Sequence, residues 1–322
     1  MADLIFSILT STLIYSTPII IAALGGLFSE RSGIVNIALE GLMGVGGFSA
    51  AASIVFLEKF TDFAPWLSLF VGILAGMLVS TLHAYLSINL GSDQVISGTA
   101  INIFALGITV YLAEIFFNQQ RTDAFVKGFI KTTIPVLSDI PVIGDIFFTK
   151  IYTTVYLAFF LVLISWYILY KTAFGLRLRA TGEHPQAVDS MGINVYKMRY
   201  IGVITSGGLA GLAGGIMVLT QNTQYTITSI HGIGFIALAA LIFGKWKPSG
   251  LLAASLFFGF SQILSLYSTS ISDKLNLEFI GKLPNEFFYA LPYVLTVIAL
   301  VIFSSKSVGP KAAGEAYDKG KR

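Results

Sequence analysis

The sequence contains no cysteine, few charged residues and no nucleotide-binding motif. The absence of Cys among 322 residues excludes disulfide bonds, iron–sulfur clusters and thiolate zinc sites. The three histidines, His83, His184 and His231, lie in separate segments without the spacing of metal ligands, so no metal site is predicted. No G-x-x-x-x-G-K-[ST], H-E-x-x-H or G-x-S-x-G motif occurs. The chain is therefore expected not to be an enzyme, to hold no cofactor and not to hydrolyse ATP.

Charged residues make up only 11% of the chain, whereas 55% of the residues are hydrophobic. A soluble domain usually carries about 25% charged residues, so this composition indicates an integral membrane protein. The apolar runs are about 20 residues long, which is the length of a membrane-spanning helix. They lack the two-residue alternation of a membrane barrel, and an all-α membrane fold is predicted. The net charge of +3 is modest and does not indicate nucleic-acid binding.

Nine apolar segments, within a range of eight to ten, are predicted to cross the membrane in a single transmembrane domain over residues 1–305. A tail over residues 306–322 is small and polar, and is expected to be cytoplasmic and disordered. The predicted spans are residues 4–28, 34–57, 66–90, 94–117, 151–170, 200–220, 233–243 (short, either crossing or folding back), 251–271 and 287–304.

Basic residues in the connecting segments predict the orientation of this multi-pass protein. If the polar segment 171–199 faces the cytoplasm, most of the 20 Lys and Arg residues lie on the inner side. Because cytoplasmic loops are enriched in Lys and Arg, the N-terminus is expected outside and the C-terminus inside.

A short sequence frame, GIxxIALxxL, occurs twice, starting at Gly33 and at Gly232. In the nine-helix arrangement the two copies start from opposite faces of the membrane. Glycine-interrupted segments at matching positions of two inverted halves favour an inverted repeat with a substrate site at its centre. Chance similarity, or close helix packing through small residues, would also produce this pattern.

Glu40 is the most unexpected polar residue, because an ionisable group inside an apolar segment is costly unless it is paired or faces water. Asn36 lies four residues before Glu40, so on a helix the two would share one face. An amide and a carboxylate together could hydrogen-bond a neutral polar solute. Alternatively, Glu40 lies near the membrane edge or caps a buried amide.

A second polar group opens the fourth apolar segment. Asp93 is predicted to cap that helix. Gln94, Ser97 and Asn102 follow it and are weaker candidates for lining a solute pathway.

The segment 171–199 is polar and basic, and lies between two apolar segments. Glycines at 182 and 192 delimit a short helix within it, because Pro185 suits a first helical turn, Glu183 favours the positive helix end and Gly192 is a natural stop. The helix is predicted to dock on a soluble partner through a small apolar stripe, although it could instead lie on lipid. The residues assigned to this docking role are Glu183, His184, Pro185, Ala187, Val188, Met191 and Gly192.

The run AxGEHPQAVDSMGINVYKMR (residues 180–199) resembles the cytoplasmic coupling loop of importer permeases of the ATP-binding-cassette (ABC) class, in the branch that includes ribose and branched-chain amino-acid permeases. SGIVNIALEGLMGVGGF (32–48), DQVISGTAINIFALGITVYL (93–112) and GFIALAALIFGKWKPSG (234–250) are more similar to the nucleoside-type permeases of that branch. The resemblance covers nearly the whole chain, and Asn36 and Glu40 fall within its motif.

The resemblance implies a membrane permease with about ten helices, located in a bacterial plasma membrane and importing a nucleoside. It also implies a second, non-identical permease subunit, an ATPase with two nucleotide-binding domains that carries ATP and Mg²⁺, and an extracellular solute-binding lipoprotein. A sugar or branched-chain amino-acid substrate is the alternative within this superfamily. An ion-coupled secondary transporter working alone is the alternative from another class.

Overall fold

The structure, a computed structural model, describes residues 2–268 and 309–319, together with positions 290, 294, 297 and 298. Eleven helices are assigned in the described part of the chain. Their bounds are Ala2–Arg31 (α1), Leu39–Leu57 (α2), Ala64–Ala84 (α3, continued by a π-helix at Tyr85–Asn89), Gln94–Phe117 (α4), Ile143–Phe147 (α5), Thr153–Lys171 (α6), Ala173–Glu183 (α7), Pro185–Ser190 (α8), Val195–Gln221 (α9), Ile233–Phe243 (α10) and Pro248–Leu266 (α11).

Seven of the described helices are long and apolar enough to cross a membrane, namely α1 to α4, α6, α9 and α11. α10 is apolar, but its 11 residues extend only about 17 Å, too short to cross about 30 Å of hydrocarbon alone. The predicted all-α membrane fold is therefore confirmed, with seven full-length helices and one short helix where eight spans were expected. The ninth predicted span, 287–304, lies outside the described residues except for positions 290, 294, 297 and 298.

α2 begins at Leu39, five residues later than the predicted span. The Ser29 hydroxyl donates a hydrogen bond to the Ile34 carbonyl (2.7 Å), and the Ser32 hydroxyl donates one to the Ser29 carbonyl (2.6 Å). Side-chain bonds of this kind compete with helical ones and favour a turn. The stretch 32–38 is consequently a non-helical connection between α1 and α2.

Helices α1 to α3 and α9 to α11 form two units with matching contacts. α9 packs against α1, α2 and α3, whereas α1 packs against α9, α10 and α11. α1 and α9 run antiparallel, since Gly25 faces Ser206 while Gly202 faces Phe28. The first helices of the two units are thus inverted relative to each other, as expected for the inverted-repeat arrangement predicted from the repeated frame.

Glycines bring the central helices into backbone contact. A Cβ atom on Gly211 of α9 would meet the backbone of Gly72 in α3, and a Cβ atom on Gly214 would meet the backbone of Met43 in α2. Small residues allow membrane helices to approach this closely and gain van der Waals contact. α9 and α2 are accordingly the most buried of the spans, whereas α4 is the least buried.

The connecting segments fall on two faces of the bundle. On one face the end of α1, the segment α7–α8, the turn between α10 and α11 and residues 309–319 meet, through contacts such as that between the Gly182 carbonyl and the Ala312 N–H (2.9 Å). On another, Glu58 after α2 accepts hydrogen bonds from the amides of Val126 and Lys127. This grouping agrees with the one predicted from the distribution of basic residues.

Residues 309–319 differ from the expectation of a disordered tail. The Tyr317 side chain is buried and packs with Val188 and Val195. The Arg199 Nη1 atom donates a hydrogen bond to the Glu315 carbonyl (3.0 Å), and its guanidinium lies 5.9 Å from the centre of the Tyr317 ring. The composition of the tail is mostly small and polar, but this single aromatic ring supplies an apolar anchor.

Candidate functional site

A cavity of about 410 Å³ lies between the first turns of α2, the middle of α4 and the segment 225–235. Cavities of roughly 300–1,000 Å³ hold small-molecule ligands in other proteins. The walls are mostly apolar, and the polar side chains that contribute to them are those of Glu40, Thr99, Asn102 and Tyr225. An apolar wall with a few fixed polar groups is typical of a ligand site.

Glu40 joins the start of α2 to the start of α10. Its Oε1 atom accepts a hydrogen bond from the Gly232 N–H and its Oε2 atom accepts one from the Gly234 N–H, both at 2.7 Å. The carboxylate therefore lies at the N-terminal ends of two helices, where the helix dipole favours negative charge. Glu40 thus caps buried amides, which was one of the alternatives to a solute-contacting role, and it also lines the cavity.

Two glycines make this contact geometrically feasible. Gly232 precedes α10 with a φ of +80°, a left-handed conformation that glycine adopts without strain. A Cβ atom on Gly234 would lie 2.5 Å from the Cα of Glu40. The backbone conformation of Gly232 and the absence of a side chain at Gly234 therefore allow the carboxylate to reach the two amides.

Asn102 caps the start of α2 from α4. Its Oδ1 atom accepts a hydrogen bond from the Gly41 N–H (2.8 Å), and its Nδ2 atom donates one to the Ile37 carbonyl (3.0 Å). One N–H and one lone pair of the amide are left over by these two bonds. The predicted pathway residues Asn102 and Glu40 are therefore brought together at one cavity.

Asn36, Gln94 and Ser97 lie elsewhere, buried around the connection before α2. Asn36 is not on a helix, so the prediction that it shares a helical face with Glu40 is wrong. The Asn36 Nδ2 atom donates to the Ser206 hydroxyl (2.8 Å), and Gln94 Oε1 accepts from the Val35 N–H (2.6 Å). These side chains fix the position of the connection.

His83 completes this buried group. Its Nε2 atom lies 3.1 Å from the Val35 carbonyl and its Nδ1 atom lies 3.0 Å from the Ser97 hydroxyl. Because a carbonyl can only accept, the arrangement fits a neutral ring that carries its proton on Nε2 and accepts from Ser97 at Nδ1. Sequence spacing alone gave no reason to group His83 with these residues.

Tyr225 is a wall residue that the sequence analysis did not identify. Its hydroxyl donates to the Thr109 hydroxyl (3.4 Å), its backbone N–H donates to the Thr122 hydroxyl (2.9 Å), and its ring contacts Phe48 edge-on at 5.6 Å between centroids. Burial raises the pKa of Tyr225, so the phenol remains protonated at neutral pH. It lies in the connection between α9 and α10.

The predicted docking helix is present as α8 and is shorter than expected. Pro185 is its first residue, as predicted, and Gly192 follows its end with a φ of +76°. Glu183 belongs instead to the end of the preceding helix α7, and His184 is the residue between the two helices.

The apolar stripe on α8 is divided between two directions. Val188 is buried against Tyr317 and Val195, so its assignment to an outward-facing stripe is wrong. Ala187 and Met191 remain exposed, and 80% of the surface of Met191 is accessible. The outward apolar surface of α8 is therefore small.

Among the described residues, no three His, Cys, Asp or Glu side chains are grouped so that they could hold a metal ion. A second cavity, of about 620 Å³, lies between α1, α9 and α11 and is lined by residues that include Gln221, Gln262 and Ser265. It contains none of the predicted pathway residues. The smaller cavity, where Glu40 and Asn102 meet, is therefore the candidate site.

Comparison with known proteins places the chain in a family. Residues 8–300 match the family described as "Branched-chain amino acid transport system / permease component". The chain is 49% identical over 316 residues to the Guanosine ABC transporter permease protein NupQ of Bacillus subtilis (strain 168), which covers 98% of this chain and 97% of that relative. No solved structure matches the chain.

Two further relatives are informative. The Nucleoside ABC transporter permease protein NupC of Lactococcus lactis subsp. cremoris (strain MG1363) is 43% identical over 316 residues, covering 98% of this chain and 97% of the relative. The Guanosine ABC transporter permease protein NupP of Bacillus subtilis (strain 168) is 25% identical over 298 residues, covering 91% and 80%. The chain belongs to the family of branched-chain amino acid transport system permease components, and it is a multi-pass membrane permease rather than an enzyme.

Proposed function

We propose that this chain is one permease subunit of an ABC importer that moves nucleosides into the cell, driven by ATP hydrolysis on a separate subunit. The observation that carries the proposal is its near full-length identity, 49% and 43%, to relatives named as guanosine and nucleoside permeases. Its sequence contains no Walker-type site of its own, which is consistent with an energy source on another polypeptide.

The lining of the cavity suits a neutral solute that has both polar and apolar parts. A nucleoside presents hydroxyl and N–H donors together with ring and carbonyl acceptors. Glu40 can accept from such donors, and the remaining N–H of Asn102 can donate to such acceptors. The apolar walls, which include Ile103 and Phe235, suit the faces of a base. In this proposal Glu40 and Asn102 contact the solute, while Asn36, Gln94 and Ser97 hold the connection beside it.

A second, non-identical permease subunit is part of the proposal. Bacillus subtilis has two proteins named as guanosine ABC transporter permeases, NupQ and NupP, and this chain is far more similar to the first. The cavity opens beside exposed apolar residues of α4, including Ile103 and Leu106. A partner permease packed on this side would close the cavity.

The remaining partners follow from the same assignment. An ATPase with two nucleotide-binding domains would dock on α8 through Ala187 and Met191, and an extracellular solute-binding lipoprotein would deliver the nucleoside. The face that carries α7, α8 and residues 309–319 would then be cytoplasmic, with the N-terminus of α1 outside. This orientation is the one favoured by the distribution of basic residues.

Uptake by the complete complex tests the substrate. The two permeases, the ATPase and the binding protein are reconstituted in liposomes, and import of labelled guanosine, uridine, ribose and leucine is measured with and without ATP. ATP-dependent import of nucleosides is expected. Import of ribose or leucine instead would contradict the nucleoside assignment. Uphill uptake by this chain alone on an ion gradient would contradict the ABC mechanism.

Docking is tested at one exposed side chain. Met191→Glu places a charge on the outward surface of α8, and we expect the ATPase no longer to co-purify with the permease pair. Val126→Glu is the matched control, because Val126 is 90% exposed and lies with the connection after α4, away from α8. Full co-purification of the ATPase with the Met191 variant would place the docking surface elsewhere.

A further inference from the structure

Arg31, at the end of α1, contacts two segments at the same time. One is the docking segment, by which we mean α7 and α8, and the other is the turn after α10. Its Nε and Nη2 atoms donate hydrogen bonds of 3.1 and 2.7 Å to the Trp246 carbonyl. Its Nη1 atom lies 3.8 Å from a carboxylate oxygen of Glu183, the last residue of α7. One guanidinium therefore joins the segment that carries α8 to the connection between α10 and α11.

The Trp246 side chain is held by the residue next to Arg31. Its indole Nε1 atom donates a hydrogen bond to Glu30 Oε2, and both side chains are buried. The ring also packs against Gly309 of the C-terminal segment. Trp246 is thus fixed on its main chain and on its side chain by two consecutive residues of α1.

The turn that contains Trp246 has an unfavourable backbone conformation. Lys245 and Trp246 have φ angles of +53° and +51°, in the left-handed region that bulky L-residues rarely adopt. Such a conformation persists only where surrounding contacts hold it in place, and it is common in parts of proteins that switch. Besides its own backbone hydrogen bonds, the turn is held by the donation from Arg31 to the Trp246 carbonyl and by the donation from the Trp246 indole to Glu30.

α10 connects this turn to the candidate site. It is 11 residues long, and the Gly232 and Gly234 N–H groups at its start donate hydrogen bonds to Glu40. Its other end leads directly into Lys245 and Trp246. The short helix is therefore attached at one end to a cavity wall and at the other end to the turn that Arg31 bonds, and Arg31 in turn contacts Glu183 of α7.

We propose that Arg31 and Trp246 are coupling residues, which transmit a displacement of the docking segment through α10 to Glu40 at the cavity. The inference rests on the proposed function, since it takes the ATPase to act at α8. A displacement of Glu183 changes the position of Arg31, and Arg31 holds the Trp246 turn. α10 then moves as a rigid body, because its internal backbone bonds are intact along its length.

The test compares transport with ATP hydrolysis in the same preparation of the complete complex. Arg31→Gln removes the ion pair and the pair of hydrogen bonds to the Trp246 carbonyl, whereas Arg31→Lys retains the charge. Trp246→Phe keeps an aromatic ring but removes the bond to Glu30 and part of the packing against Gly309. Lys247→Gln is the matched control, because Lys247 is an exposed cation in the same turn. Import, ATP hydrolysis and the yield of assembled complex are measured for each variant.

We expect Arg31→Gln to lower nucleoside import at least tenfold while ATP hydrolysis stays within twofold, so that fewer molecules are imported per ATP. Arg31→Lys should recover part of this ratio, Trp246→Phe should lie between, and Lys247→Gln should match the unchanged protein. A purely structural role would lower complex yield, import and hydrolysis together and leave the ratio unchanged. That result, or unchanged import, would overturn the proposal.

A thiol reporter separates this inference from the proposed function. In the cysteine-free chain, Ala239→Cys places one thiol on α10. ATP is expected to change its rate of labelling by a maleimide in the otherwise unchanged chain but not together with Arg31→Gln. An equal change in both backgrounds would overturn the inference. If the unchanged complex imports no nucleoside, the proposed function fails, and the reporter still decides the role of Arg31.

Discussion

The Oε2 atom of Glu40 accepts a 2.7 Å hydrogen bond from the backbone N–H of Gly234, 194 residues further along the chain. Each residue belongs to one copy of the repeated frame, so the acid of the first copy caps the helix of the second. The contact therefore joins the two inverted units at the wall of the cavity. Substrate sites of transporters with inverted repeats commonly lie where such units meet.

Replacing Glu40 by Gln should lower import and stability. A glutamine can accept with only one oxygen, which leaves one buried amide at the start of α10 without an acceptor, at a cost of about 1–3 kcal/mol. We expect a lower thermal unfolding midpoint of the permease pair and at least a tenfold loss of import. Glu114→Gln is the control, because Glu114 is an exposed acid on α4 away from the cavity. Equal losses in both variants would mean that transport needs each of these acids within the apolar segments, as expected of an ion-coupled mechanism.

Gly234→Ala should disturb the same contact by steric overlap. The added Cβ would lie 2.5 Å from the backbone of Glu40, which forces α10 away from α2. Gly107→Ala in α4 is the matched control, since a Cβ atom there meets nothing within 4 Å. The control should leave stability unchanged or raise it by up to about 1 kcal/mol, because alanine favours a helix. Equal unfolding midpoints for the two variants would contradict this packing.

The features that depend on local sequence could be predicted. The lengths of the apolar runs predicted eight of the helices found in the described residues. A spanning helix needs about 20 apolar residues whatever it packs against. Asp93 was predicted to cap α4, and its carboxylate accepts hydrogen bonds from the amides of Val95 and Ile96. Pro185 was expected in the first turn of a helix and is its first residue. These outcomes depend on a residue and its near neighbours.

The features that depend on distant contacts could not be predicted. The amide partners of Glu40 lie 192 and 194 residues away, and no helical spacing relates them to it. Asn36 was predicted to lie on a helix because the apolar pattern does not reveal the hydrogen bonds of Ser29 and Ser32. These bonds delay the start of α2. Tyr317 was counted as part of a polar tail because its anchoring pocket is formed by another segment.

Substitutions of Asn102 should separate stability from transport. Asn102→Leu removes the acceptor for the Gly41 N–H and the donor to the Ile37 carbonyl, and should lower stability by about 1–3 kcal/mol. Asn102→Asp retains an acceptor for the helix start and should recover part of that loss. It also adds a negative charge to a cavity wall that already contains Glu40, so import should remain low. Thermal unfolding and import of the two variants check this, and wild-type import by Asn102→Asp would contradict contact with the solute.

Tyr317 should determine whether residues 309–319 stay packed against α7 and α8. Tyr317→Ala removes a buried ring beside Val188 and its contact with the Arg199 guanidinium, a loss on the order of 3 kcal/mol. Hydrogen exchange of the Ala312 amide, which donates to the Gly182 carbonyl, should then become faster by about a hundredfold. Tyr317→Phe keeps the ring and should retain most of the protection. If exchange at Ala312 is unchanged in Tyr317→Ala, the ring does not anchor this segment, and other contacts, such as the Ala312–Gly182 hydrogen bond and the bond from the Arg199 side chain to the Glu315 carbonyl, must hold it.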